Sequence, residues 1–416
     1  MDILDPPSLR HYLDGIAHLR ERLGPQPAAW QIREVGDGNL NLVFIVEGTD
    51  GSVCVKQALP YVRAAGPSWP MSPDRICFEQ AYFEAVAPYV GARIPAIHHF
   101  DRKRYCLVME RLSPHIILRH GLIAGRRYPR LARDMGEYVA RACFYTSDIA
   151  WPFERKLQAM ALFAANLPLL RITVDLVFAD PYRHSPRNRH TTPQLDGFVA
   201  AIQADAALKL AAARFGQKFL NQPEALIHGD LHSGSVMVTE TDTRVIDPEF
   251  AFCGPIGFDL GAFFGNLLLS WYSQGGHATS NDDRSAYQDW ILEQLEAFWG
   301  AFHTCFLALW HEHAGGDAFP SDLFQTPADR AALEEARRAQ MQAWFADMLG
   351  FAACKMIRRI VGFAHVIDLE SIQDPQRRAG CEARALAMAR LLLKQPERFI
   401  RLADVIEAVP RVSADP

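Results

Sequence analysis

A chain of 416 residues exceeds the ~250 to 300 at which a single hydrophobic core stops growing, so two or more lobes are expected. With 49% hydrophobic and 22% charged residues the composition is that of a folded soluble protein, and a net charge of -5 with a pI near 6.3 excludes the basic footprint of a nucleic-acid-binding surface. Eight cysteines stand singly, with no Cys-x-x-Cys pair for zinc or redox chemistry, and read as reduced thiols.

The chain opens Met-Asp-Ile-Leu-Asp-Pro-Pro, with acids where a secretion signal carries basic residues before an apolar run. No window reaches the ~18 uninterrupted apolar residues of a membrane span. A cytoplasmic protein without membrane contact is expected. Strand-like runs over 32–35, 42–46 and 52–57 are separated by the turn strings Gly36-Asp37-Gly38-Asn39 and Gly48-Thr49-Asp50-Gly51, which predicts three consecutive antiparallel strands. A helix over 72–90 and strands over 97–101 and 105–109 follow. Beyond Leu112 the periods become helical, over 129–147, 153–165, 204–220, 258–274, 284–313, 327–364 with a break near Gly350, and 380–408. The pattern is α+β: a small β-rich lobe over 1–111, then a large, mainly helical lobe over 112–416.

Chemistry concentrates in His228-Gly229-Asp230-Leu231-His232-Ser233-Gly234-Ser235 and Ile246-Asp247-Pro248-Glu249-Phe250-Ala251-Phe252. Phosphoryl transfer from ATP requires one carboxylate to orient the attacking hydroxyl and take its proton, and another to carry Mg²⁺ against the phosphates. Asp230 and Asp247 fit those two tasks, and the apolar runs 236–238 and 245–246 between them predict a hairpin that brings the acids together. Gly229 and Ser235 depart from the kinase pattern His-Arg-Asp followed by Asn five residues later. A serine hydroxyl is a weaker metal ligand than an amide carbonyl, so the metal set is read as Asp247 and Glu249 with Ser235. The alternative is an ordinary buried hairpin with surface acids.

In the small lobe, the amides of Gly38 and Asn39 suit close approach to phosphate oxygens, although the same string also makes an ordinary hairpin turn. Lys56 ends the third strand where a kinase holds the α- and β-phosphates, and Glu79 on the next helix is its natural ion partner. A lone strand lysine protects a sheet edge in many proteins. Glu110 and Leu112 close the lobe and are placed at the adenine hinge, the alternative being a plain strand exit.

On the acceptor side, Arg358 and Arg359 interrupt an apolar helix, and adjacent residues point about 100° apart, so at least one guanidinium flanks the buried face. The alternative is a salt bridge to Asp368 or Glu370. Arg377-Arg378 follows Asp374-Pro375 and is assigned to a solvent-facing loop. Asp259, among apolar residues, is expected to brace the catalytic loop, as are His228 and His232, and no zinc site is expected there. Trp69, after Gly66-Pro67-Ser68, is a candidate lid residue over the substrate or a simple packing residue.

The chain resembles the aminoglycoside phosphotransferase and choline kinase-like superfamily, and within it the 5-methylthioribose kinase family. The strings that carry the narrower resemblance are Gly36 to Asn41, Val55 to Arg63, Ser68 to Met71, Ser113 to Arg119, His228 to Ser235, Ile246 to Phe252 and Lys355 to Arg359, which span nearly the whole chain. The resemblance implies a protein kinase-like bilobal fold, with ATP and Mg²⁺ as cofactors. It implies 5-methylthioribose as a small-molecule substrate phosphorylated at its anomeric hydroxyl, and a homodimer. Carried onto this sequence, it makes Asp230 the base, puts Asp247 and Glu249 on Mg²⁺ and Lys56 on phosphate, and sets Arg358 and Arg359 at the sugar and moving phosphate. Ser233 stands where Thr is expected and Cys253 where Tyr is expected. Rival readings are a kinase of the same fold acting on an aminoglycoside, choline or homoserine, and a non-catalytic kinase-like binding module. Cationic acceptors call for an acidic or aromatic cage, whereas the C-terminal region offers arginines.

Overall fold

The computed structural model describes residues 2–36, 40–63 and 66–413. Helices α1 (Pro6–Asp14) and α2 (Ala17–Leu23) precede the first strand, and the sequence reading did not anticipate them. Asp5 caps α1 by accepting from the N–H of Ser8, with proline in the first turn. Leu9, Leu13, Leu19 and Leu23 of these helices pack with Trp30, Val46, Val53 and Val55 against one face of the first sheet.

That sheet is antiparallel, with β1 (Gln31–Glu34), β2 (Asn41–Glu47), β3 (Ser52–Ala58), β4 (Ile97–Asp101) and β5 (Cys106–Glu110) in the order β1-β2-β3-β5-β4. Helix α3 (Arg75–Val90) joins β3 to β4. Side chains alternate along a strand, so with Val53 and Val55 turned to α1 and α2, Lys56 points to the opposite face. There it meets Glu79 of α3.

The second lobe begins with β6 (Ile116–Ile117), α4 (Leu118–Ile123), α5 (Leu131–Phe144), α6 (Phe153–Ala164), α7 (Leu167–Thr173), α8 (Asp196–Ala204) and α9 (Ala206–Asn221). The catalytic segment supplies β7 (Ala225–Ile227), β8 (Val236–Val238), β9 (Thr243–Val245) and β10 (Phe252–Gly254). β8 and β9 form the expected hairpin, and β10 returns to pair with β7. Helices α10 (Ile256–His277), α11 (Ser285–His313), α12 (Pro327–Val361), α13 (Ile367–Glu370), α14 (Pro375–Lys394) and α15 (Leu402–Arg411) complete the lobe. No single helix among the described residues is long and apolar enough to cross a membrane.

Three expectations need correction. Helix α12 runs unbroken for 35 residues through Gly350, because that glycine is there for close packing: a Cβ would lie 1.8 Å from the Phe215 ring. The segment 380–408 is two helices with a short 3-10 turn between them at Pro396–Arg398, since proline lacks the N–H and clashes with the preceding turn. Arg377-Arg378 begins α14, where Asp374 is the N-cap and Pro375 the first helical residue. Arg377 is exposed, as expected, and donates to the carbonyls of Gly275 and Ala278, while the half-buried Arg378 donates to that of Glu370.

The contact that places the site lies between α10 and α12. Gly257, Gly261 and Gly265 recur every four residues and so share one face of α10. A Cβ on each would lie 2.6 Å from Asp347 Cβ, 2.6 Å from the Met348 carbonyl and 2.9 Å from the Ala352 carbonyl. Their absence lets the two backbones meet, and this draws the last turns of α12 up to the catalytic loop.

Candidate active site

The catalytic loop leaves β7 at His228 and is held from below by Asp259 on α10. The Asp259 carboxylate accepts from the N–H groups of His228 at 2.7 Å and Gly229 at 3.0 Å, which is the bracing expected of it. Burial raises the Asp259 pKa, against the lowering influence of His228 and the two amides. Gly229 has φ +82°, and a Cβ there would sit 2.2 Å from the Phe250 carbonyl, so the arginine of the usual kinase pattern does not fit.

Both histidines brace the loop. His228 Nδ1 accepts from the Asp230 N–H at 3.3 Å, so its proton is on Nε2, which donates to the Ile246 carbonyl at 2.9 Å. His232 Nδ1 accepts from the Gly234 N–H at 3.0 Å, which puts the proton on Nε2, 3.3 Å from Asp230 Oδ2. Burial pushes the His232 pKa down to about 3 despite the opposing pull of Asp230, so the ring is neutral. Ser235 donates its hydroxyl to the Asp230 carbonyl at 3.0 Å, and its Oγ lies 3.2 Å from His232 Nδ1.

Asp230 is partly buried, and desolvation taken alone raises its pKa, but Lys355, His232 and Arg359 hold it well below the usual carboxylate range. Lys355 Nζ lies 2.9 Å from Oδ1, and Arg359 Nη2 is 4.0 Å from Oδ2. The carboxylate is therefore ionised at any working pH.

Across the cleft, Asp247 adopts a left-handed backbone, φ +67°, which aspartate tolerates better than most residues. One oxygen from each of Glu79, Asp247 and Glu249 falls within 4.8 Å of the others, a cluster of hard donors suited to Mg²⁺. Lys56 bridges Asp247 and Glu79, at 2.6 Å from the latter. Burial opposes the Lys56 ammonium, but Asp247, Glu79 and Glu249 hold its pKa well above normal. Burial raises the pKa of Glu79 and of Glu249 in turn. Glu249 accepts from Asn41 Nδ2 at 2.7 Å and faces Arg75 Nε at 3.5 Å. Arg75 also donates to Asn41 Oδ1 and to the carbonyls of Leu40, Leu59 and Ser72, tying both lobes to the acid cluster.

Arg358 and Arg359 do not form the alternative salt bridges to Asp368 or Glu370. Asp368 is taken by Arg119 at 3.2 Å and Glu370 by Arg189 at 2.6 Å. Nε and Nη1 of Arg358 and Nε of Arg359 are buried without a hydrogen-bond partner among the described residues. Arg119, to which the sequence assigns no task, donates its Nε to Ser233 Oγ and its Nη2 to Asn266 Oδ1, both at 3.0 Å. Serine in place of threonine at 233 thus keeps the hydroxyl in use.

The remaining expected residues are more scattered. Glu110 accepts from the Ala96 N–H at 3.1 Å and faces Arg244 of β9 at 3.5 Å, joining the lobes at the hinge, while Leu112 is half-buried in the exit. The Trp69 ring lies 5.6 Å from that of Phe363, just past the arginine pair, so the residue sits across the cleft from the second lobe. Gly38 and Asn39 lie outside the described residues.

A strand lysine paired to a helix glutamate in one lobe, facing a loop aspartate and the acids Asp247 and Glu249 in the other, is the construction of a kinase-like phosphotransferase. Residues 31–299 match the phosphotransferase enzyme family. Over 415 residues the chain is 44% identical to methylthioribose kinase 1 of Oryza sativa subsp. japonica, covering 99% of this chain and 96% of that one. It is 44% identical over 398 residues to a methylthioribose kinase of Escherichia coli, covering 94% of each, and 39% identical over 387 residues to one of Geobacillus sp., covering 92% and 91%. Among solved structures, a glucosamine kinase in complex with glucosamine, ADP and inorganic phosphate aligns with 95% of this chain and 87% of that one, at 14% identity and a TM-score of 0.45. The chain belongs to the methylthioribose kinase family.

Proposed function

We propose that the protein transfers the γ-phosphoryl group of ATP to the anomeric hydroxyl of 5-methylthioribose, giving 5-methylthioribose 1-phosphate in methionine salvage. The observation that carries the acceptor is the pair Arg358 and Arg359, beside Asp230, with buried guanidinium nitrogens (Nε and Nη1 of Arg358, Nε of Arg359) that no group among the described residues satisfies. Such donors fit sugar and phosphoryl oxygens, and an ammonium-bearing acceptor would meet Lys355, Arg358 and Arg359 as like charges. The names of the relatives point to the same acceptor.

The chemistry follows from the two sides of the cleft. Asp230 accepts a hydrogen bond from the anomeric hydroxyl and aims it at the γ-phosphorus. As the new O–P bond forms and the bond to the bridging oxygen breaks, ADP leaves and the hydroxyl proton passes to Asp230. A carboxylate held this far below its usual pKa is a weak base, so it takes the proton late, when the attacking oxygen has become acidic. Lys56 holds the α- and β-phosphates and is aimed by Glu79. The amides of Gly38 and Asn39 and the backbone at Glu110 and Leu112 serve phosphate and adenine, and Trp69 covers the acceptor. Asp247 and Glu249, with the Ser235 hydroxyl, would hold Mg²⁺, which when bound offsets phosphate charge.

The protein is also proposed to form a homodimer; Phe153 and Leu157, one turn apart on α6, are exposed apolar side chains that suit a subunit contact. The test of function is ADP release with methylthioribose, ribose, choline, homoserine and kanamycin as acceptors. Methylthioribose is expected to give the highest kcat/KM, and a stronger response to any of the other four overturns the assignment.

A further inference from the structure

We propose that Lys355 is a positioning residue for phosphoryl transfer, locking the Asp230 carboxylate in its acceptor-facing orientation and tying it to the helix that carries Arg358 and Arg359. The inference rests on the phosphotransferase reading of the site and gives a task in the transfer step to a residue which that reading uses only as a like charge against cationic acceptors.

The Lys355 side chain is 4% exposed, and Asp230 is its one acidic partner within 4.0 Å among the described residues. Its Nζ donates to Oδ1 at 2.9 Å. A buried ammonium is expensive to maintain, and an apolar residue of the same length would pack equally well in the core of α12. The charge therefore answers to Asp230. The Nζ also lies 4.4 Å from the centroid of the Phe258 ring, whose neighbour Asp259 anchors the backbone of the same loop. With His232 Nε2 on Oδ2 and Lys355 on Oδ1, the carboxylate is gripped at both oxygens and cannot swing. Each oxygen keeps a lone pair for the acceptor hydroxyl.

Spacing supplies the second half of the argument. Lys355, Arg358 and Arg359 stand at i, i+3 and i+4, so they share one face of α12. The base and the acceptor-binding arginines are thereby referred to one rigid element, and the ammonium offsets the charge of Asp230 where an anionic phosphoryl group must approach it. Pre-orientation of this kind contributes to turnover more than to nucleotide binding.

The test is a double-mutant cycle of Lys355→Met with Asp230→Asn, read by steady-state ADP release, together with melting temperature and ADP affinity. Lys355→Met is expected to lower kcat on the order of 10²-fold while KM for ATP moves less than about threefold. In the Asp230→Asn background the same change should alter the residual rate less than about threefold, because the residue acts through Asp230. Lys355→Arg, which keeps the charge, should retain more kcat than the methionine variant. A kcat within about twofold of wild type in folded Lys355→Met, or an equal loss in both backgrounds, overturns the proposal. If the methionine variant does not fold, Lys355→Gln, which keeps an N–H donor, takes its place in the cycle with the same criteria. Should the wild type prefer another acceptor, the acceptor assignment fails while the cycle is run on that acceptor, so the two failures are separate.

Discussion

Substituting Gly261 by alanine tests whether the spacing of α10 and α12 sets the geometry of the site. The added Cβ would lie 2.6 Å from the Met348 carbonyl and 2.7 Å from the Ala352 nitrogen, about 0.8 Å short of an ordinary 3.4 Å contact. Both are backbone atoms of α12, so no side chain can turn aside and the helices must separate. Overpacking of this kind costs about 1–3 kcal/mol, a fall of several degrees in Tm. Because α10 stays tied to the catalytic loop through Asp259, the shift appears between Asp230 and the cations of α12. A misplacement approaching 1 Å costs about 10²-fold, so kcat with methylthioribose should drop by that order, about 2.7 kcal/mol of transition-state stabilisation. ATP affinity should change less than about threefold, since Lys56 and Asp247 lie on other elements. Gly300 of α11 is the control, with nothing within 4 Å of a Cβ there, so Gly300→Ala should be neutral or stabilising by up to ~1 kcal/mol. A lower Tm with kcat within twofold of wild type for Gly261→Ala would refute the link between helix spacing and catalysis.

Three further tests probe the site. A lysine has no planar fork to hold a sugar oxygen and a phosphoryl oxygen together, so Arg358→Lys or Arg359→Lys should lower kcat by roughly 10²-fold in at least one case, with ATP affinity changed less than about threefold. Steady-state kinetics beside thermal melts decide this, a loss of Tm with normal kcat in both variants contradicting it. Glu249→Gln should raise the Mg²⁺ concentration needed for half-maximal rate, and adding Ser235→Asn should recover part of it; superimposable Mg²⁺ titrations of wild type and Glu249→Gln would contradict the metal assignment. Gly229→Ala places a side chain at φ +82° against the Phe250 carbonyl, and should cost about 1–2 kcal/mol from the dihedral alone along with most of the turnover. Unchanged melting and kinetics there would show that the loop tolerates a Cβ.

Much of the catalytic side was readable because its signals are local. His228 to Ser235 and Asp247 to Glu249 carry their chemistry in short strings, and the β8–β9 hairpin follows from two apolar runs with turn residues between them. Lys56 and Glu79 are marked by the end of the third strand and the helix that follows it, and Asp259 by being an acid in an apolar run. Contacts made only by tertiary packing were not readable: Asn41 and Glu249 are 208 residues apart, Arg119 and Asn266 147, and Lys355 and Asp230 125. Signals for some were present nonetheless. Lys355 stands four residues before Arg359 in a stretch that is otherwise apolar apart from the arginine pair, and Gly257, Gly261 and Gly265 keep a four-residue period that marks a helix face built for close approach. Asp5-Pro6-Pro7 announces the start of α1 by cap chemistry, and Asp374-Pro375 does the same for α14. The continuity of α12 through Gly350 was obscured because a glycine that admits the Phe215 ring looks the same in sequence as one that ends a helix.

The central claim is that Asp230 directs the γ-phosphoryl group to the anomeric oxygen of methylthioribose. Phosphorus NMR of the product made from ATP and methylthioribose by wild type and by Asp230→Ala tests it most directly. The account predicts one new phosphomonoester signal coupled to the C1 proton with wild type, and no turnover with Asp230→Ala although ATP still binds. Phosphate on another hydroxyl, or more than about a tenth of the wild-type kcat in Asp230→Ala, would contradict it.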